Sequence, residues 1–317
     1  MKTVYILILF LFTTLYSTYG QANFNSFIDS GNSKLKRGDY EGAIKEYTNA
    51  INIDSTNIDA YKSRIWVNEN LIADFDAALL DYNKIISHKP NEPEFYVKRA
   101  NIKMNLFDFE GSIDDYSKAI SLKPDYSEAY YDRAFVKNSL NDKLGATNDF
   151  NKAIELDPNS KYAYINRAYF YEYADMKKAI DDFKMAINLN KDTSKSFLAD
   201  CYLGLGEANS GLNDFKIGIK YYDKALLVNS ENSNNYFDSK VYFKRGKAKS
   251  ALHDESAAIL DFDKSLELNS GNLEEGYYCR GLSKFNMGDK KGACDDMGKA
   301  SELKYKDATN WLKDHCK

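Results

Sequence analysis

The chain has 317 residues, more than one average domain and enough to bury a large core. Four prolines and 17 glycines suit helices and argue against an all-β fold. The formal net charge of −4 gives no basis for a nucleic-acid partner.

The first twenty residues differ from the rest. Lys2 precedes a nine-residue apolar run, VYILILFLF (Val4–Phe12), and then the small and polar residues STYG before Gln21. This is the pattern of a secretory leader cut after Gly20, so 1–20 is expected to be a signal peptide. The alternative is an uncleaved anchor, but the apolar run is short against the about 20 residues of a membrane span. No cysteine stands near the cut to carry a lipid. No later segment is apolar enough to span a bilayer. The expected location is therefore exported, periplasmic or secreted, with no membrane span after cleavage.

From residue 24 onward the chain repeats itself. LDYNKIISHKP (Leu80–Pro90), DDYSKAISLKP (Asp114–Pro124) and NDFNKAIELDP (Asn148–Pro158) follow one another at intervals of 34 residues. Tyr96, Tyr130 and Tyr164 keep that interval, as do Ala100, Ala134 and Ala168. Looser copies at Lys45–Ser55, Asp181–Lys191, Lys220–Ser230, Leu260–Ser270 and Asp295–Tyr305 bring the number to eight. Each copy divides into two amphipathic halves. In the third, Tyr96 and Ala100 mark one helical stripe, and Ser112, Tyr116 and Ala119 mark another after the break at FDF. Alanine falls where two helices must approach most closely. Pro124 lacks a backbone N–H, and there the second helix must stop.

These residues resemble the tetratricopeptide repeat (TPR) family over about residues 24–305. LKRGDYEGAIKEYTNAINID (Leu35–Asp54) and FNMGDKKGACDDMGKASELK (Phe285–Lys304) carry a Gly-Asp turn, then Ala, an aromatic residue or Met, and Ala at the family's spacing. The resemblance implies an all-α, right-handed superhelical solenoid of about eight helix-turn-helix repeats, with first helices lining a concave wall. The array is expected over 21–305, its repeats near 24–57, 58–92, 93–126, 127–160, 161–192, 199–232, 239–272 and 274–305. Residues 306–317 are expected to form a capping helix, with Trp311 and Leu312 sealing the last repeat. The second copy has one extra residue before Ala73, and the fifth is one short near Ala174. Insertions near KDTSKSF and SENSNNYFDS are expected to lengthen loops or helix ends.

Comparing the copies with one another exposes a pairing. An Arg stands three residues after the first-helix Tyr at Arg64, Arg99, Arg133, Arg167, Arg245 and Arg280. An Asp precedes the second-helix aromatic or Met at Asp81, Asp115, Asp149, Asp182, Asp261 and Asp296. The sixth copy lacks both, with Leu205 and Tyr221 in their places, and the first has Ser30 and Glu46. Joint presence and joint absence point to structural ion pairs between the two helices of a repeat. Solvated charges left by duplication are the alternative.

No catalytic constellation stands out. His88, His253 and His315 sit in different copies, the first two in expected turns, and no phosphate or calcium loop is present. No cofactor and no metal are expected, and the chain reads as non-enzymatic. A zinc site from Cys279, Cys294, His315 and Cys316 would lack closely spaced ligand pairs. In an exported chain a disulfide between Cys294 and Cys316 would pin the cap, the alternative being reduced, buried cysteines.

Partner binding is expected on first-helix residues rotated away from the packing stripe. These are Lys62, Trp66, Asn101, Tyr131, Phe135, Tyr169 and Tyr173, an aromatic groove with a few polar groups. The alternative is that these rings pack within the array. A chaperone-tail clamp of Lys, Asn and Arg, which some TPR proteins use, is not formed by Lys62 and Asn101 alone. The expected function is a scaffold for a protein or peptide partner in the envelope or secreted space. A structural subunit of an envelope assembly and a glycan or small-ligand binder are the alternatives. Nothing in the sequence sets the oligomeric state.

Overall fold

The computed structural model describes residues 21–171, 175–191, 194–230, 234–268, 271 and 273–316. The expected leader, 1–20, lies outside them. Among the described residues the regular structure is helical, with no strand. The fold is an all-α repeat solenoid. Two compact units meet in the sequence between Leu156 and Asp157. The first holds α1 (21–36), α2 (Tyr40–Ile53), α3 (Ile58–Val67), α4 (Phe75–His88), α5 (Pro93–Asn105), α6 (Phe109–Leu122), α7 (Ser127–Ser139) and α8 (Lys143–Leu156). The second holds α9 (Lys161–Tyr171), α10 (Met176–Asn188), α11 (Lys195–Gly211), α12 (Phe215–Asn229), α13 (Asn235–Ala251), α14 (Glu255–Leu268), α15 (Leu273–Asn286), α16 (Lys290–Glu302) and α17 (Lys306–His315). Within each unit, odd- and even-numbered neighbours pack as hairpins, and each hairpin packs on the next.

One device turns these hairpins. An Asp caps the second helix, its carboxylate accepting from a backbone N–H three residues on: Asp39 from Gly42, Asp74 from Ala77, Asp108 from Gly111, Asp142 from Gly145 and Asp289 from Gly292, at 2.9–3.0 Å. The residue before each cap is left-handed. Only Gly38 and Gly288 are glycines there; Ala73, Phe107, Asn141, Asn213 and His253 take φ of 59–64°. The Gly-Asp turn of the first and last copies is thus a backbone requirement that the other copies meet with side chains present. His253 sits in such a turn. His88, expected in a turn, is instead the last residue of α4.

The alanine positions are the closest approaches. Ala100 and Ala119 have no exposed surface, and Tyr116 fills the space beside them, also fully buried. Ser112 donates to the Ala100 carbonyl at 3.0 Å, tying α6 to α5. In the second copy the extra residue is taken up as a π-helical turn, Asn68–Ile72, after α3. In the sixth and seventh copies α11 and α13 run to 17 residues, against 13 in α5 and α7, so one further turn of first helix absorbs part of each insertion. The shortening near Ala174 lies outside the described residues. At the end, α17 covers Met297 and Ala300, and the Phe285 ring meets Trp311 edge-on at 5.1 Å.

Candidate functional site

The first helices are held by their arginines. In all six copies Nε and Nη2 donate to the two carboxylate oxygens of the Asp on the following helix, at 2.5–2.9 Å. These aspartates are 2–6% exposed. Burial opposes the charge on Asp296, but hydrogen bonds from Arg280 and Lys284 outweigh it and hold the carboxyl below its ordinary value.

Two further limbs were not foreseen from the sequence. Nη1 reaches back to the preceding hairpin: Arg64 to Thr48, Arg99 to Asn83, Arg133 to Ser117, Arg245 to Asp223 and Arg280 to Asp263, at 2.5–2.9 Å. A lysine one turn after the arginine also meets the Asp, at Lys103, Lys137, Lys249 and Lys284, at 2.7–2.8 Å. In the first copy only that lysine limb survives, Lys34 meeting Glu46 at 2.6 Å. In the sixth, Leu205 is buried and Tyr221 stacks on Tyr202 instead. Each full set joins three helices and fixes their register.

The first unit has a recess of about 260 Å³ lined by Lys62, Ile65, Trp66, Glu69, Tyr82, Glu94, Phe95 and Lys98. Lys62 is exposed, its Nζ 5.2 Å from the centre of the Phe95 ring. Trp66 is 49% exposed, an indole left out of the core. Burial pushes the Glu69 carboxyl up, against a hydrogen bond from Tyr82. The structure thus brings Lys62 and Trp66 together. Of the other expected groove residues, Asn101, Tyr131, Phe135 and Tyr169 are engaged within the chain. Asn101 is half-buried and accepts from the Tyr116 hydroxyl. Tyr131 and Phe135 are half-buried and meet each other and Phe150 edge-on, with centroids 5.1–5.9 Å apart. Beside them, burial and the neighbouring Glu128 push Asp132 up to about 6, with Lys98 opposing.

In the second unit, Tyr169 meets Phe183 edge-on at 5.1 Å and donates to the Asp200 carbonyl at 3.1 Å. It borders a larger recess, of about 650 Å³, whose wall includes Lys240, Lys244 and Lys247 of α13. Tyr173 lies outside the described residues. The lysines have a sequence signal, a basic residue at i, i+4 and i+7 of one first helix.

Among the described residues, no group of three His, Cys, Asp or Glu side chains converges as a metal site. Cys294 and Cys316 form a disulfide with Cα atoms 5.9 Å apart. Burial pushes the Cys201 thiol up to about 12 and the Cys279 thiol up to about 11, so both are protonated at neutral pH and poor nucleophiles. No helix among the described residues is long and apolar enough to cross a membrane.

Helical hairpins with this turn, this alanine spacing and this stacking define a repeat scaffold. Sequence models of the TPR repeat match residues 31–64, and models of the tetratricopeptide repeat match 93–126, 127–160 and 199–232. The chain belongs to the tetratricopeptide repeat family. Comparison with curated proteins gives no match. Among solved structures it is similar to the C-terminal part of a TPR repeat-containing protein from Cytophaga hutchinsonii, at 16% identity and TM-score 0.62, over 77% of this chain and 96% of that one. It is also similar to PilW, a widely conserved type IV pilus biogenesis factor, at 14% identity and TM-score 0.59, over 69% of this chain and 97% of that one. PilF of Pseudomonas aeruginosa shares 14% identity at TM-score 0.55, over 67% of this chain and 91% of that one. At these identities the likeness is one of fold. The family's fold is in general that of a protein–protein interaction scaffold.

Proposed function

We propose that the chain is an exported, non-enzymatic scaffold that holds a segment of a partner protein of the cell envelope or secreted space on its first-helix faces. The observation that carries this is Trp66. A large aromatic side chain stands 49% exposed beside a recess, where burial elsewhere in the chain has claimed most rings. Aromatic anchors beside a pocket concentrate binding energy because they bury much area at small entropic cost. Export rests on the leader-like sequence of 1–20. That PilW is a pilus biogenesis factor makes an envelope role congenial to the fold without assigning one.

The test is co-purification from native envelopes of a tagged full-length chain, its Trp66→Ala variant and a Leu80→Ala variant, Leu80 being an exposed second-helix residue. The expected result is a protein retained by the wild type and by Leu80→Ala, and lost with Trp66→Ala. Equal retention by all three would remove the first unit's recess from the account.

A further inference from the structure

The recess around Trp66 is lined by two carboxylates, Glu69 and Glu94, and two ammonium groups, Lys62 and Lys98. Two more carboxylates stand on α7, where Asp132 lies in the fields of both Glu128 and Lys98. The Tyr126 phenol, with the Lys123 ammonium 4.6 Å from its ring centre, lies in the field of Glu128, Glu94 and Asp132. With Lys123 counted, four carboxylates face three ammonium groups. The three lysines of the second unit's recess offer no such excess, because Glu207, Glu275 and Asp200 match them.

The two signs around Trp66 are not solvated alike. Lys62 and Lys98 are exposed and keep their water, and Lys62 also rests over the Phe95 ring. Glu69 and Asp132 are half-buried, and among the described residues neither has an ion pair. Lys98 acts on both from a distance, yet burial still pushes Glu69 up, and burial with Glu128 pushes Asp132 up to about 6. A half-buried carboxylate without a counter-ion has lost hydration and received no charge in exchange. An arriving cation supplies that charge. An arriving anion would instead strip water from lysines that still hold it, beside carboxylates that repel it. Trp66 stands three residues before Glu69 and lines the same recess, 49% exposed. Indole is the aromatic face that attracts cations most strongly, and guanidinium is flatter and less tightly hydrated than ammonium.

We propose that this recess receives a basic segment of the partner protein, led by an arginine whose guanidinium lies on the Trp66 indole and pairs with Glu69, with a second basic side chain directed to Asp132 and Glu128. The inference rests on the scaffold reading and gives its partner a charge.

The experiment is selection of randomised displayed peptides on the full-length chain, followed by titration of the enriched peptides as free fluorescent probes. Arginine, and after it lysine, is expected to be enriched. Trp66→Ala should weaken binding at least tenfold, and Glu69→Gln and Asp132→Asn by several-fold each, with the helical circular dichroism of all three retained. Lys98→Met removes the competing ammonium and should tighten binding several-fold. Leu80→Ala should leave it unchanged. Failure to enrich any peptide, peptides without basic excess, or weaker binding by Lys98→Met would overturn the inference. Peptides that lack basic excess but are lost with Trp66→Ala would overturn it while leaving the scaffold reading in place. The scaffold reading fails separately, if the Trp66-dependent co-purification yields no partner.

Discussion

Arg64 and Arg133 make the same bidentate contact but differ in one neighbour. Lys137 stands at 2.7 Å from Asp149, whereas the residue one turn after Arg64 is Asn68, which brings no charge to Asp81. Removing Arg64 strands a buried carboxylate and should cost about 3–5 kcal/mol. Removing Arg133 leaves Asp149 partly compensated and should cost about 1–3 kcal/mol. Urea denaturation of Arg64→Ala and Arg133→Ala measures the difference; equal losses would show that the lysine limb contributes nothing. Phe107 illustrates the opposite case, a residue the fold tolerates. It is 81% exposed at φ 60°. Phe107→Gly should therefore stabilise by about 0.5–1 kcal/mol, seen as a higher melting temperature. Asp132 sets a pH dependence. Between its ordinary value and about 6 the folded chain keeps a proton that the unfolded chain has shed, so stability falls as pH rises through that window. Asp132→Asn should gain about 1–2 kcal/mol at pH 7, and the gain should vanish below about pH 4.

At the scale of elements, the cap is the clearest case for a covalent constraint. α17 packs Trp311 and Leu312 over the last hairpin, and the Cys294–Cys316 disulfide closes a separation of 22 residues. Such a bridge is worth about 3 kcal/mol to the chain it constrains. Cys316→Ser should speed amide exchange in α17 while leaving α3 to α8 unchanged. Thiol titration of the unfolded, unreduced chain should find two reactive groups, Cys201 and Cys279. Much of this architecture was legible beforehand, because a repeated sequence compares with itself. Tyr96, Ala100 and Pro124 could be read against their copies, and Arg133 and Asp149 through the joint loss of both in the sixth. The backward limb of each arginine was harder to see, because it joins positions in different repeats. Its trace exists: Thr48, Asn83, Ser117, Asp223 and Asp263 can all accept a hydrogen bond, while the copy preceding the arginine-less sixth has Lys184 there, which cannot. The groove was least legible. Rotation by 100° per residue separates Tyr131 from the packing stripe of its own helix, but it does not say that Phe150 of the next helix fills the space beside it.

Each unit of the molecule is a set of stacked hairpins, and the proposed function lies in what the first-helix faces hold. The two recesses differ in chemistry, an indole-lined one in the first unit and a lysine-walled one in the second. The most direct test places a photo-crosslinking amino acid at residue 66 or residue 244, on the proposed faces, and at residue 80 or residue 260, both exposed second-helix leucines. Irradiation of intact cells is expected to yield a protein adduct from 66 or from 244 and none from 80 and 260. Adducts from the second-helix positions alone, or the same yield from all four, would contradict it.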